Sequence, residues 1–353
     1  MKTIYINGKF FSQRVTGTQR YARELLYQFD KLLVEGNYRN INLEILVPRG
    51  ALSVPQYANL HVRTVGRMGG TKWEQMELPR YCNGQVLFTL SGGAPILHSR
   101  NVITIHDAAV FAAPMGYSRA YRLWYQHLYR RVARKAEHVF TVSKFSMSEI
   151  VKWCGVAPEK LSVTYLGSDH FSKLEADTST LTRFGISGSY VLAAGSHNPN
   201  KNFDRVMQAV CQHCNADTRL VIAGGHDSRV FRSSTTQRAD VLELGYVNDP
   251  ELKKLYQHAS CFVFASLYEG FGLPPLEAIA SGCPIVVSRA ASLPELFDGV
   301  ASFCDPYDPK DIAAAIQRSV NSQPVAPSEL KSFARKFSWE QCARETLEVL
   351  GRL

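Results

Sequence analysis

The sequence predicts an α/β protein built from two doubly wound, parallel-sheet domains, and three observations carry that prediction. Short apolar runs alternate with longer amphipathic stretches, the order produced by parallel strands joined through crossover helices. A chain of 353 residues exceeds what one hydrophobic core usually organises, at about 150 residues per domain. Between Gly167 and Ser189 the composition turns polar and poor in aromatics, and a second β-α series then begins. The domains are therefore expected over residues 1–175 and 176–335, followed by a helical segment over 336–353 that either finishes the second domain or crosses back to the first.

Taken in order, residues 3–6 read as the opening strand, and Thr16 to Tyr21 start the first long helix. Residues 41–47, 86–90 and 102–105 are short apolar runs of strand length, and 117–135 has helical periodicity. In the second half strands are expected at 190–194, 219–223, 241–244, 261–265 and 285–288, with helical patterns between them, and the last helix runs from about Trp339 to Leu350. Ligands of open parallel sheets bind beyond the carboxyl ends of the strands, so two such domains facing each other predict an interdomain cleft.

Composition excludes several classes. Hydrophobic content of 45% is that of a globular protein, no run of about 18 apolar residues appears, and the N-terminus reads as a strand instead of a leader. These features predict a cytoplasmic protein without a membrane span. The 8 cysteines are scattered, several within apolar runs, as reduced packing thiols would be. Cys211-Gln212-His213-Cys214 has C-x-x-C spacing, but no second pair follows and it lies in a helical pattern, which favours packing over a metal or redox site. The net charge of +9 is uneven: 23 Lys and Arg stand against 12 Asp and Glu up to Glu175, and 17 against 19 beyond it. A basic first half suits a polyanion, a phospholipid surface or a phosphate-bearing acceptor. No helix-turn-helix, zinc-finger or RNA-recognition signature accompanies it, so nucleic acid is not expected as a partner.

The densest chemistry lies in Glu269-Gly270-Phe271-Gly272-Leu273-Pro274-Pro275-Leu276-Glu277. A strand ends in a Gly-rich turn, and two prolines open a helix expected to hold Glu277 in its first turn, so both acids face one mouth. Backbone amides of Phe271, Gly272 and Leu273 can approach an oxyanion there, beside the positive end of the helix dipole. Carboxylates accept hydrogen bonds from vicinal hydroxyls, so Glu277 suits a ribose and Glu269 a transferring sugar. Gly195-Ser196-His197-Asn198-Pro199-Asn200-Lys201-Asn202 follows the first strand of the second domain and brings Lys201 to a helix start. There an ammonium and free amides can stabilise the charge that grows on a departing diphosphate, without a metal.

The E-x7-E run, its continuation through Ala278-Ile279-Ala280-Ser281-Gly282-Cys283-Pro284, and Ser292-Leu293-Pro294-Glu295-Leu296 resemble the signature of retaining, nucleotide-sugar-dependent glycosyltransferases with the GT-B fold, a family 4-like group that includes bacterial mannosyl- and glucosyltransferases. Weaker similarity runs from Thr16 to Trp339. The resemblance implies a crossing-over of the chain near Phe337-Ser338-Trp339. It implies that His106-Asp107 is the family's His-Asp pair, with His106 at the donor sugar and acceptor and Asp107 orienting the imidazole. It sets Gly17 and Thr18 opposite the donor diphosphate, and backbone near Val247 against the nucleotide base. Relatives carry a second basic residue in the Lys201 loop, where this chain has Ser196 and Asn200, which leaves Lys201 with His197 or backbone amides.

Residues 117–135 interleave aromatic and basic side chains, among them Arg119, Arg122, Trp124, Tyr125, Arg130, Arg131, Arg134 and Lys135. Such a helix either meets an anionic membrane surface, with Trp124 and Tyr125 at headgroup depth, or is a core helix with a solvated basic face. The reading is thus a metal-independent retaining glycosyltransferase with a nucleotide-sugar donor of GDP-mannose or UDP-hexose type and no cofactor. Its acceptor would be a polysaccharide or lipid-linked oligosaccharide. Two rivals remain at this level: a sugar-nucleotide epimerase of similar build, and a non-catalytic basic glycan-binding protein.

Overall fold

A computed structural model describes residues 2–34, 38, 40–196, 198–215, 218–224, 241–321 and 325–353. The chain divides into two units, the first formed by Met1–Leu166 with Ser338–Leu353 and the second by Gly167–Phe337.

The first unit is a parallel sheet of β1 (Lys2–Asn7), β2 (Ile41–Val47), β3 (His61–Thr64), β4 (Val86–Thr89), β5 (Asn101–Thr104), β6 (His138–Thr141) and β7 (Leu161–Val163), in the order β3-β2-β1-β4-β5-β6-β7. Helices α1 (Gly17–Leu32), α2 (Arg119–Lys135) and α3 (Lys144–Cys154) lie among them in the chain. Chain order reverses between β1 and β4, the switch point where a parallel sheet opens a crevice at its carboxyl edge. His106 and Asp107 follow β5 at that edge.

The second unit opens with the short helix α4 (Asp169–Ser172). There follow β8 (Tyr190–Ala194), α5 (Phe203–His213), β9 (Arg219–Ala223), β10 (Val241–Gly245), α6 (Asp249–His258), β11 (Cys261–Phe264), α7 (Leu273–Ala280), β12 (Ile285–Ser288), α8 (Leu293–Phe297), β13 (Ala301–Cys304), α9 (Pro309–Asn321) and α10 (Pro327–Ala334). Its sheet runs β10-β9-β8-β11-β12-β13, all parallel, with the switch point between β8 and β11. β8, β11 and β12 are buried along their whole length, as a sheet covered on both faces requires. The last helix, α11 (Trp339–Arg352), rejoins the first unit, where the fully buried Trp339 packs 6.1 Å from Tyr21 of α1.

The first unit ends at Leu166, short of residue 175 where the sequence set the boundary. The reason is a buried cation: Lys253 on α6 donates from Nζ to the carbonyls of Phe171, Ser172 and Leu174, tying 167–174 to the second unit. Strands β3, β6, β7 and β13 carry no clear apolar run. β3 is a fully exposed edge strand and β7 is only three residues long, so their ladders owe more to neighbouring backbone than to side-chain pattern.

Candidate active site

The second unit assembles its site from the loops that follow β8 and β11. Pro199–Lys201 is a single tight turn, opened by Asn198, whose Oδ1 accepts from the Asn200 amide. Asn202 then adopts a left-handed φ of 61° and opens α5. Its Nδ2 donates to the carbonyls of Ala265 at 2.9 Å and Pro306 at 2.7 Å, fastening the loop to the ends of two other strands. The Leu267 amide donates to the Asn200 carbonyl at 2.8 Å, joining the two loops directly. Lys201 is therefore aimed across the switch point, where its Nζ lies 2.7 Å from Glu269 Oε1 and 4.7 Å from the centroid of the Phe264 ring.

Two close approaches shape the loops. The Gly195 amide donates to Ala223 and the Gly224 amide to Gly245, and a Cβ on Gly224 would lie 1.9 Å from the Gly195 carbonyl oxygen. Gly272, at φ 113°, faces Leu293 and Phe297 of α8 closely enough that a Cβ would sit 2.9 Å from Leu293 Cδ2. Ser292, fully buried, donates from Oγ toward the carbonyls of Glu269 at 3.0 Å and Phe271 at 3.2 Å. The start of α8 thus clamps the turn that carries the first acid.

Glu277 lies in the second turn of α7, since Gly272 is the N-cap and Leu273 the first helical residue. The expectation of the first turn is one turn short: the prolines do lie in the opening turn, but the helix already begins at Leu273, which carries Glu277 into the next turn. The carboxylate is buried, 3.3 Å from His170 Nε2 on α4. Phe271, Gly272 and Leu273 form the turn between the acids, as the spacing requires. Gly195 and the exposed Ser196 follow β8, and Val247 follows β10 at the same edge of the sheet. His197 falls outside the described residues.

In the first unit, His106 donates from Nε2 to the Leu90 carbonyl at 3.1 Å, which fixes the neutral tautomer and leaves Nδ1 as an acceptor. Tyr21 meets the ring edge-on at 4.7 Å. Burial pulls the imidazole down to about 4, against the pull of the Leu90 carbonyl. The orienting group is therefore Leu90 and not Asp107, whose Oδ1 instead accepts from the Ala109 amide and starts the short helix Ala109–Ala112. Gly17 begins α1 without a positive φ, so no backbone strain demands glycine there, and Thr18 is the next helical residue.

On α2, Arg130 and Arg134 donate to the carbonyls of Trp153 and Cys154, capping the end of α3. Tyr125 is stacked with Tyr121 at 4.3 Å and meets Tyr129 edge-on at 5.7 Å, so it belongs to a packed ladder and not to an exposed aromatic belt. Leu123 and Trp124 remain 62% and 39% exposed. Among the described residues no helix is long and apolar enough to cross a membrane, and no cluster of His, Cys, Asp and Glu could hold a metal ion.

Asn202, Ser292 and His170 are the contacts that motif spacing could not supply, because each reaches its partner across more than one element. Ser292 did lie in a run already similar to the family, and Asn202 closes the loop that carries Lys201, but neither pattern names the partner.

Two parallel Rossmann-like sheets, with Lys201 and Glu269 in contact at the switch point of the second, are those of a GT-B glycosyltransferase. A sequence profile described as "Glycosyl transferases group 1" matches residues 187–337, and one described as "Glycosyltransferase Family 4" matches residues 84–170. The O-antigen chain mannosyltransferase B of Escherichia coli is 31% identical over 266 residues, 71% of this chain and 70% of that protein. The MMP alpha-(1->4)-mannosyltransferase of Mycolicibacterium hassiacum is 29% identical over 342 residues, covering 88% and 78%. The solved structure of Anabaena Alr3699/HepE in complex with UDP-glucose superposes with a TM-score of 0.72 at 17% identity, covering 100% of both chains, a likeness of fold. The chain belongs to the group 1, family 4-type glycosyltransferases, and it is a glycosyltransferase of glycan assembly.

Proposed function

We propose that this glycosyltransferase moves a hexose, with retention, from a nucleoside diphosphate to a hydroxyl of a polysaccharide or lipid-linked oligosaccharide, and that the donor is GDP-mannose, with a UDP-hexose second. The observation that carries the reading is the Lys201–Glu269 contact at the switch point of the second sheet, a cation and a sugar-binding acid held together at 2.7 Å. Lys201 and the amides of Phe271, Gly272 and Leu273 take the diphosphate, Glu269 the hydroxyls of the hexose and Glu277 the ribose, while backbone near Val247 meets the base. In the front-face form of the reaction the anomeric carbon–phosphate oxygen bond breaks, the acceptor oxygen bonds that carbon, and the acceptor proton passes to the departing phosphate. Lys201 offsets the charge that grows on the diphosphate, so no resident metal is required. Mannose is favoured because several similar proteins are named as mannosyltransferases.

The first unit takes the acceptor, with His106 and Asp107 at the carboxyl end of β5, and Gly17 and Thr18 at the start of α1. The exposed face of α2, carrying Leu123, Trp124, Arg131 and Lys135, is proposed to rest on the anionic leaflet that holds a lipid-linked acceptor, which would set the enzyme at the cytoplasmic face of a membrane.

The test is a thermal-shift series with GDP, UDP, ADP and their sugars, followed by product analysis. A ligand at a hundred times its Kd stabilises by about 2.7 kcal/mol. GDP-mannose is expected to give the largest shift, the product to keep the anomeric configuration, and transfer to persist in EDTA. An isomerised nucleotide sugar formed without acceptor would instead establish the epimerase reading.

A further inference from the structure

Charged side chains are rarely buried, yet an ion pair lies at the switch point of the first sheet, and the proposed function leaves it unused. Asn7 ends β1 and Thr89 ends β4, the two strands between which chain order reverses. Asn7 Nδ2 donates to Thr89 Oγ1 at 3.3 Å and to Glu74 Oε1 at 2.9 Å. Lys9, just past β1, donates from its amide to Asn7 Oδ1 at 3.1 Å and from Nζ to Glu74 Oε2 at 2.6 Å. The side chains of the pair are 7% and 1% exposed. Open parallel sheets bind their ligands at this point.

Two features of the chain bring Glu74 there. Trp73–Glu77 winds as a π-helix, closed by the Leu78 amide on the Trp73 carbonyl, and its wide turn buries Trp73 and Glu74 side by side. Trp73 Nε1 donates to the Val65 carbonyl at 2.8 Å and fixes the turn. Turns of this kind recur at functional sites. In the loop after β4, Gly93 passes the carboxylate without a side chain: a Cβ there would run into Leu128 of α2 and stand 3.5 Å from Glu74 Oε2.

Stability does not account for the pair. Taking both charges out of water costs about as much as their attraction returns, so a buried ion pair adds little to the fold. Nor is the pair saturated. An ammonium has three protons to donate, and among the described residues Lys9 Nζ hydrogen-bonds Glu74 alone. Both Glu74 oxygens are engaged, so the open capacity is that of a donor. The pair carries no net charge, and such a donor suits a neutral hydroxyl, whereas a lysine without a counter-charge suits a phosphate.

We propose that Lys9 and Glu74 form an acceptor subsite in the first unit: the ammonium donates to a hydroxyl of an uncharged acceptor sugar, and Glu74 cancels its charge so that a phosphorylated sugar is refused. This rests on the reading that the first unit takes the acceptor. Specificity here comes from the acid, which makes no room for a second negative charge.

The experiment uses the full chain with GDP-mannose and UDP-glucose as donors and the methyl α-glycosides of mannose, glucose and galactose as acceptors, each beside its 6-phosphate as a competing ligand. The variants are Lys9→Met, Glu74→Gln, and Lys9→Met combined with Glu74→Leu. Lys9→Met is expected to raise acceptor KM about tenfold and to leave kcat and the calorimetric Kd for GDP or UDP unchanged. Glu74→Gln, which keeps the shape and bares the ammonium, is expected to bind the 6-phosphate about tenfold more tightly while the neutral glycoside weakens. The combined apolar variant is expected to keep the urea midpoint of the wild type and to show the acceptor KM of Lys9→Met. An unchanged acceptor KM in both Lys9 variants, or nucleotide affinity lost to the same degree, means a structural role only and overturns the proposal. No gain of 6-phosphate binding in Glu74→Gln overturns it too. A wild type that binds nucleotide and slowly hydrolyses its donor, but is quickened by none of the glycosides, overturns it while leaving the donor reading intact. A wild type that binds neither GDP nor UDP overturns the donor reading and this proposal with it. Should Lys9→Met fail to fold, the combined apolar variant carries the comparison.

Discussion

Lys201 Nζ and Glu269 Oε1 stand 2.7 Å apart, one from the loop after β8 and the other from the loop after β11. Each is the other's counter-charge, with side chains 19% and 15% exposed, so the pair is partly desolvated and stronger than a surface contact. On the proposed function, a diphosphate that takes the ammonium would free the carboxylate for sugar hydroxyls, and the two groups would work as one unit.

That coupling predicts non-additive kinetics. Lys201→Ala and Glu269→Gln are each expected to lower kcat by about 10²–10³, the cost typical of a lost oxyanion donor. The double variant is expected to fall no more than about tenfold below the worse single one, because either change already dissolves the unit. Fully multiplicative losses in a steady-state transfer assay would contradict it.

Ser292 is the hinge pin of the Glu269 turn. Ser292→Ala removes the donor that faces the carbonyls of Glu269 and Phe271, and a kcat loss of between about ten- and a hundredfold is expected from misplacing the acid. The urea midpoint is expected to change modestly, since the loss is one buried hydrogen-bond donor, about 1–3 kcal/mol. Unchanged turnover would show that the turn holds without it.

Backbone proximity makes Gly224 irreplaceable for stability. The Cβ of Gly224→Ala would meet the Gly195 carbonyl oxygen at 1.9 Å, and backbone cannot yield as a flexible side chain does. A loss of about 3 kcal/mol is expected in urea denaturation, with donor binding weakened as the Lys201 loop is pushed away. Asn202→Asp is expected to destabilise similarly, because a carboxylate cannot donate to the carbonyls of Ala265 and Pro306.

Acid sensitivity follows from the histidines of the first unit. His106 titrates at about 4 when folded, against about 6.5 unfolded, because burial disfavours the cation. The unfolded chain thus binds the extra proton between those values. Stability from this site is whole above pH 6.5 and is lost as pH falls toward 4, by at most about 3 kcal/mol. Burial lowers His98 and His138 in the same direction. Glu74 acts in the opposite sense, since burial holds its carboxyl above the ordinary range against the pull of Lys9. Its term favours folding below the ordinary carboxylate pKa and diminishes as pH rises. Denaturation midpoints at pH 7.5 and pH 5 are expected to differ less in His106→Gln than in the wild type.

The exposed face of α2 supplies a further check. Sedimentation with vesicles at low salt is expected to bring down more protein with anionic than with neutral lipid, at about 1 kcal/mol per basic residue near the surface. Arg131→Glu with Lys135→Glu should remove most of the difference. Equal binding to both lipids would leave α2 as a packed helix with a solvated face.

Much of this protein was legible in its residues taken in order. Alternating apolar and amphipathic segments determined a parallel α/β fold, and the local motifs determined the loop that carries Lys201 and the turn between Glu269 and Glu277. Such features depend on neighbours a few positions apart, where periodicity, proline and glycine act directly on the backbone. Tertiary structure alone decided that Lys201 holds Glu269, that Ser292 clamps the turn, that Leu90 and not Asp107 orients His106, and that Lys253 draws 167–174 into the second unit. Those contacts join residues from 16 to 82 positions apart, and a linear pattern has no term for distances set by sheet order and by the packing of helices upon it.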